Sequence, residues 1–392
     1  MWTATGLALD WLTHSDIRRA NGGSLGRGGV NQGYNWRERS YPFIYSEITG
    51  YAISAYVNAY RWTGNELYLA VARESAEFLL RVQNLSKEYR IEGAVPHSLS
   101  LPHLTPLRRY YSFDSAMCLQ GLLDLNTVHP VPALRESARG IGDWLVHRMQ
   151  RPDGAFISVV DGITREDRPD GDEVFGDGGS LHAKHAIGLL KLSDATGDHR
   201  YAVASQQVCD WVLCLQDNDG AFHATEQMEQ VVSHSHCYAT EGLLFAHDAL
   251  GAERYGEAAR RAAEWLLSIQ NRDGSINIAY KRRWWRMGRR ITEKMLPRRV
   301  SDATAQAVRI WLALFYLDGD DRFLRASRRA ADYLRRAQCT SSPDHNALGG
   351  LTYWPGHPMM YAWCTMFALN AIHAVEHVDR EHGYQCMLAE LF

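Results

Sequence analysis

The chain has 392 residues, 46% hydrophobic and 11% aromatic, which is the composition of a globular protein and excludes a disordered or low-complexity one. The formal net charge of −3 gives the molecule no overall attraction to polyanions. Its seven cysteines follow no disulfide or zinc-finger spacing, so they read as free thiols in a reducing compartment.

The first stretch, "MWTATGLALDWLTHSDIRRANGG", has neither a basic n-region nor a continuous apolar h-region, and no 18-residue apolar run follows. A soluble, cytoplasmic protein without a signal peptide or transmembrane helix is therefore expected. From there one pattern recurs: an amphipathic helix, a glutamine, then a turn with glycine. It reads "ESAEFLLRVQN", "ARGIGDWLVHRMQRPDGAF", "SQQVCDWVLCLQDNDGAF", "ARRAAEWLLSIQNRDGSI" and, more loosely, "ASRRAADYLRRAQ" before Gly349 and Gly350. The glutamines are Gln83, Gln150, Gln216, Gln270 and Gln338, spaced by 67, 66, 54 and 68 residues. A recurrence of this size marks a repeat architecture.

Ahead of each charged helix runs one that is apolar nearly all round: "EITGYAISAYVNAYRW", "FDSAMCLQGLLDLN", "SLHAKHAIGLLKLSDAT", "CYATEGLLFAHDAL" and "DATAQAVRIWLALFYL". Such helices belong inside, with the Gln-ending ones as an outer layer. Short connectors such as "TGNELY" and "DGDDRF" make each pair an antiparallel helical hairpin. "MMYAWCTMFALNAIHAVEHV" supplies a sixth inner helix, to be partnered by the C-terminal segment or by a helix near Ala8 to Arg19. The expected fold is all-α: a single domain over residues 1–392, an (α/α)6 barrel of six helical hairpins.

The stretches "EITGYAISAY", "FDSAMCLQGLL", "CYATEGLL" and "DATAQAVRIWL" carry a resemblance that spans nearly the whole chain. The layout resembles the six-hairpin glycosidase superfamily with its related polysaccharide lyases and epimerases, and proteins of bacterial polysaccharide gene clusters. It implies a carbohydrate-active enzyme and, if a hydrolase, one that inverts. No cofactor is expected. The repeat is also similar to the QW repeat of triterpene cyclases, with Ile276 where that repeat has Trp. Asp318-Gly319-Asp320-Asp321 has the letters of the cyclase acid motif, but it aligns with the hairpin connectors. Its aspartates should cap the next helix, which counts against a cyclase.

In such a barrel the N-termini of all inner helices meet at one end, giving a funnel with a positive potential. The polar residues entering those helices are the site candidates. Glu47 and Tyr51 come from the first entry, Tyr111 and Asp114 from the second, Asp177, His182 and Lys184 from the third. His234, His236, Tyr238 and Glu241 follow, then Asp302 and Gln306, then Trp354, His357, Tyr361 and Trp363. Each has an ordinary structural reading. Asp114 and Asp302 follow serines and suit the helix dipole, His182 and His236 suit a core, and the tryptophans suit packing. His234, His236 and Cys237 have no metal-site spacing.

Glu47 and Glu241 precede apolar runs and should point into a buried wall, where a carboxylate without a purpose is costly. Glycoside hydrolysis needs an acid and a second carboxylate. Glu241 with Asp114 or Glu47 is the first choice of pair, with Asp302 in the same pool. Asp177, His182, Lys184, Gln306, Trp354 and Trp363 are expected to hold substrate. A uronate lyase or C5-epimerase would instead use His236 and Tyr238, with His182 and Lys184 as cationic or basic partners. A glycan-binding protein without catalysis is the third class.

Residues 281–299 carry nine Lys/Arg against Glu293, a charge of +8 that leaves −11 on the rest of the chain. A solvated loop is the plain reading, and the acidic remainder disfavours nucleic acid. Contact with anionic lipid would suit a lipid-linked saccharide. The preferred expectation is a basic loop on the funnel side that covers an acidic oligo- or polysaccharide. Arg282, Arg283 and Arg286 would grip anions, and Trp284 or Trp285 would stack on a sugar.

Overall fold

The computed structural model describes residues 3–18, 25–88, 91–164, 166–167, 176–228, 230–284, 290–378 and 383–392, with the backbone alone for 86–88, 282–284 and 290–297. Six inner helices form a closed ring: α2 (Ser46–Thr63), α4 (Ser112–Val128), α6 (His185–Thr196), α8 (Ser233–Leu250), α10 (Ser301–Asp318) and α12 (Ala362–Glu376). Outside them lie α1 (Ala4–His14), α3 (Glu66–Glu88), α5 (Pro132–Trp144), α7 (Arg200–Leu213), α9 (Glu253–Ile269) and α11 (Asp321–Ala337). The fold is the (α/α)6 barrel, and the partner of α12 is the N-terminal helix α1. A last short helix, α13 (Tyr384–Ala389), packs against α10. No helix among the described residues is long and apolar enough to cross a membrane.

The repeat glutamines bind the outer layer into a ring. Gln270 Nε2 donates to Gly274 O and to Ala326 O of α11, both at 3.0 Å. Gln83, Gln150 and Gln216 make the same two bonds to their own turn and to the next outer helix. Gln338 donates to Gly349 O and to Ala4 O at 2.9 Å, which closes the circle onto α1. The turn needs glycine: Gly274 sits at φ 92°, and a Cβ there would lie 2.1 Å from Arg329 O. The Asp318–Asp321 tetrad is a helix junction. Gly319 is left-handed, and the Asp320 side chain caps α11 by accepting from Arg322 N–H.

Two features depart from the sequence reading. Each inner helix except the third is entered from a strand that ends on the residue before it, four of them three residues long and one of eleven: β2 (Phe43–Tyr45), β4 (Arg109–Tyr111), β6 (Gln230–Val232), β8 (Arg290–Val300) and β9 (Met359–Tyr361). The described residues of the basic segment, 281–284 and 290–299, are not a loop. They belong to an antiparallel hairpin of β7 (Ile276–Trp284) and β8, backed by β6. The pairing Asn277 to Arg299 shifts to Ala279 opposite Leu296, so β8 bulges at Pro297 and Arg298, where proline could not sustain a regular ladder.

The serines that begin four inner helices do not cap them. Ser46, Ser233 and Ser301 donate their hydroxyls to Pro96 O, Asn277 O and Thr352 O of the following loop. The backbone N–H groups of Ser46, Ser112, Ser180, Ser301 and Ala362 likewise donate to His97, Ser158, Ala224, Tyr353 and Gln32. Each helix start is thus anchored to the loop of the next repeat, which fixes the residue after the serine toward the axis.

Candidate active site

At the N-terminal ends of the inner helices lies a cavity of about 240 Å³ lined by Gln32, Tyr45, Glu47, Ile48, Phe113, His234, Tyr238, Asp302, Tyr353, Tyr361 and Trp363. Glu47, Phe113, His234, Asp302 and Trp363 are each the second residue of an inner helix. One register therefore supplies five walls of the site.

Glu47 is 7% exposed. Burial and the neighbouring Asp114 carboxylate push its carboxyl well above the usual range, against the pull of the Tyr45 hydroxyl and the Lys184 charge. Asp114, one residue deeper on α4, does not line the cavity. His97 Nδ1 lies 2.6 Å from its Oδ2, and the Tyr45 hydroxyl donates to its Oδ1 at 3.5 Å.

Across the cavity, Asp302 accepts from the Ala303 N–H at 2.7 Å and from Trp363 Nε1–H at 3.4 Å. Burial outweighs these bonds and raises its pKa to about 6. His234 is held by burial down to about 4, so it is a neutral imidazole. Burial, with the neighbouring acidic groups behind it, pushes the Tyr238 phenol well above its usual range. The Tyr361 and Trp363 rings stack at 4.2 Å with 15° between planes, forming a flat wall suited to a sugar face.

The other expected site residues lie elsewhere. Glu241 is the ninth residue of α8, about 12 Å down the helix from its start at 1.5 Å per residue. It is fully buried, bonded to Lys184 Nζ at 2.7 Å and to Arg309 Nη2, so the cavity does not reach it. Lys184 belongs to that ion cluster and not to the mouth. It also donates to Phe392 O at 2.7 Å, and desolvation lowers its pKa to about 8. His236 is a packing strut: its Nδ1 accepts from Phe222 N–H, and its Nε2 lies 3.1 Å from Ala262 O. His182 is buried against Phe156 and His185, with a pKa lowered to about 3. Gln306 is fully buried at the sixth position of α10. Asp177 accepts from Ser158 N–H at 2.6 Å and orders its loop.

Trp354 stands at the rim, with the Arg298 guanidinium 4.6 Å from its ring centroid. Arg282, Arg283 and Trp284 lie in β7, where only the backbone is described, and Trp285 and Arg286 lie outside the described residues. Tyr45, His97, Tyr353 and Gln32 were not picked out from the sequence. The signal for the first was available, since Tyr45 stands directly before Ser46 just as Tyr111 stands before Ser112.

No protein-family model matches the sequence, and no curated protein does either. The structure is similar to solved ones along nearly its whole length. With the cellobiose 2-epimerase of Bacillus thermoamylovorans it shares a TM-score of 0.74 at 15% identity, over 96% of this chain and 99% of that one. With a D-mannose isomerase the values are 0.71 and 12%, over 94% and 97%. With the unsaturated glucuronyl hydrolase of Bacillus sp. GL1 they are 0.68 and 17%, over 96% and 97%. The likeness shows the fold, an (α/α)6 barrel that this chain shares with them.

Proposed function

We propose that the chain is a carbohydrate-active enzyme and that it cleaves a glycosidic bond in this cavity with Glu47 and Asp302. The observation that carries this reading is the pair itself. Two buried carboxyl groups face one aromatic-walled cavity; burial raises both, Asp302 to about 6, while the Asp114 carboxylate pushes Glu47 up further. Glu47 gives its proton to the leaving glycosidic oxygen as the bond to the anomeric carbon breaks. Asp302, ionised above pH 6, takes a proton from the attacking water. The two lie on α2 and α10 with α12 between them in the ring, and the distance between such a pair sets whether the reaction inverts or retains. Asp114 and His97 act through Glu47. The structural neighbours act on sugars by epimerisation, isomerisation and hydrolysis, which supports the substrate class and leaves the reaction to the site. The charge of residues 281–299 favours an acidic glycan.

A second reading rests on His234, a neutral imidazole on the cavity wall beside the Tyr238 phenol, their ring centroids 5.9 Å apart. Such a pair can move a proton on a sugar carbon, the chemistry of an epimerase or lyase.

The test is a panel of neutral and acidic oligosaccharides followed by NMR in D2O. Hydrolysis yields one anomer first and no deuterium on carbon, and Glu47→Gln and Asp302→Asn each lower kcat by about 10² to 10⁴ while binding persists. Carbon-bound deuterium, with His234→Ala as the inactivating change, would establish the second reading instead. Binding without any turnover would make the protein a glycan receptor.

A further inference from the structure

Just outside the cavity the aromatic wall continues to the surface. His357 has its ring centroid 5.7 Å from Tyr361 and 5.8 Å from Tyr353, both of which line the cavity. Trp354 follows at 4.0 Å from His357. Over this outer edge stand two arginines from different parts of the chain. Arg298 lies in the β8 bulge, its guanidinium 4.6 Å from the Trp354 ring. Arg37 follows β1 (Gly33–Asn35), the strand paired with β9. It donates to Gly356 O at 3.1 Å and packs 5.1 Å from the ring of Trp36, whose Nε1–H donates to His357 O. Both charges are close enough to His357 to help lower its pKa.

Their sequence neighbours show what is unusual about them. Arg299 is neutralised by Asp273 at 2.7 Å, and Arg39 reaches Asp344 at 3.5 Å. Among the described residues neither Arg298 nor Arg37 has a carboxylate partner, and both are exposed. A bulge re-aims the residue it carries. Here it turns Arg298 toward the rim while Arg299 serves the scaffold. Two guanidinium groups held over indole rings are pre-organised donors for an anion that accepts two hydrogen bonds at once.

We infer that Arg37 and Arg298, with Trp36, Trp354 and His357 between them, form an outer subsite that holds an acidic group of a glycan (a carboxylate, sulfate or phosphate) whose next unit enters the cavity. This rests on the reading of the cavity as a sugar site, but it does not require hydrolysis there. It also places the anion at the rim instead of at the hairpin tip.

The experiment measures affinity for uronate-, sulfate- and phosphate-bearing oligosaccharides against their neutral parents at two salt concentrations. It uses the wild type, Glu47→Gln, and the double variant R37Q/R298Q, with R37K/R298K as the charge-retaining control and melting temperature as the check on folding. The wild type and Glu47→Gln should both prefer at least one acidic glycan. That preference should fall about tenfold in R37Q/R298Q, be partly kept in the Lys double, and shrink with salt. A wild type with no preference for any acidic glycan, or a preference that survives in R37Q/R298Q, overturns the subsite. Retained selectivity in a Glu47→Gln protein that still turns over at the wild-type rate would instead defeat the hydrolase reading and leave the subsite standing.

Discussion

Asp302 is ionised at neutral pH in a place where ionisation is unfavourable. Its unfolded value is near 3.8 and its folded value about 6, so the folded protein binds the extra proton between those limits. Stability therefore falls as pH rises through that window, by about 3 kcal/mol once both states are ionised. Activity should run the other way: a base that must be ionised gives a rate that rises through about pH 6, and the raised Glu47 ends it on the alkaline side. Asp302→Asn should thus lower kcat by about 10² to 10⁴ yet melt higher than wild type at pH 8, with little difference at pH 4. A variant that melts lower at pH 8 would mean that the carboxylate is stabilised by its two hydrogen bonds after all. The residues of this layer were only partly readable from the sequence. Glu47, Asp302 and Trp363 were in the right register, and so was His234, which follows Ser233 as Glu47 follows Ser46. Glu241 was misplaced because an apolar run after an acid signals burial but says nothing of depth. Depth is set by the count from the helix start, nine residues for Glu241 against two for Glu47.

At the scale of elements, the recurrent glutamine joins what the hydrophobic pattern alone only stacks. Gln270→Ala removes two carbonyl bonds and the contact with Arg329, and should cost about 2 to 3 kcal/mol at roughly 1 kcal/mol per bond. Gly274→Ala places a Cβ against Arg329 O at a left-handed backbone position and should cost at least as much. Chemical denaturation of the two variants decides it, and a loss under 0.5 kcal/mol in both would mean that the latch is ornamental. The helices and their pairing were legible because their apolar period is long and repeated. The entry strands were not, because three residues carry no period. The basic hairpin was hidden for another reason: Pro297 interrupts β8, and Lys and Arg fall on both faces of β7, so no alternation marks it as a strand.

The whole barrel is layered along its axis by the same count. Second residues line the cavity, and sixth residues supply an aromatic floor of Tyr51, Tyr238 and Phe367, with Tyr51 and Phe367 5.2 Å apart. Ninth residues form a polar layer of Ser54, Gln120, Glu241, Arg309 and Asn370. Residues 390–392 reach this layer from below: Gln120 donates to Leu391 O, Asn370 to the Glu390 carboxylate, and Lys184 to Phe392 O. Glu241 holds Lys184 and Arg309 together where neither cation meets water, so removing it strands two buried charges. Glu241→Ala should cost about 3 to 5 kcal/mol, and replacing Glu241, Lys184 and Arg309 together by methionines should recover most of that loss. Glu241→Gln separates this role from catalysis. The melting temperature should fall by several degrees, while kcat/KM of the folded fraction stays within about tenfold of wild type. A Glu241→Gln protein of unchanged stability that no longer turns over would return Glu241 to the chemistry and remove Asp302 from it.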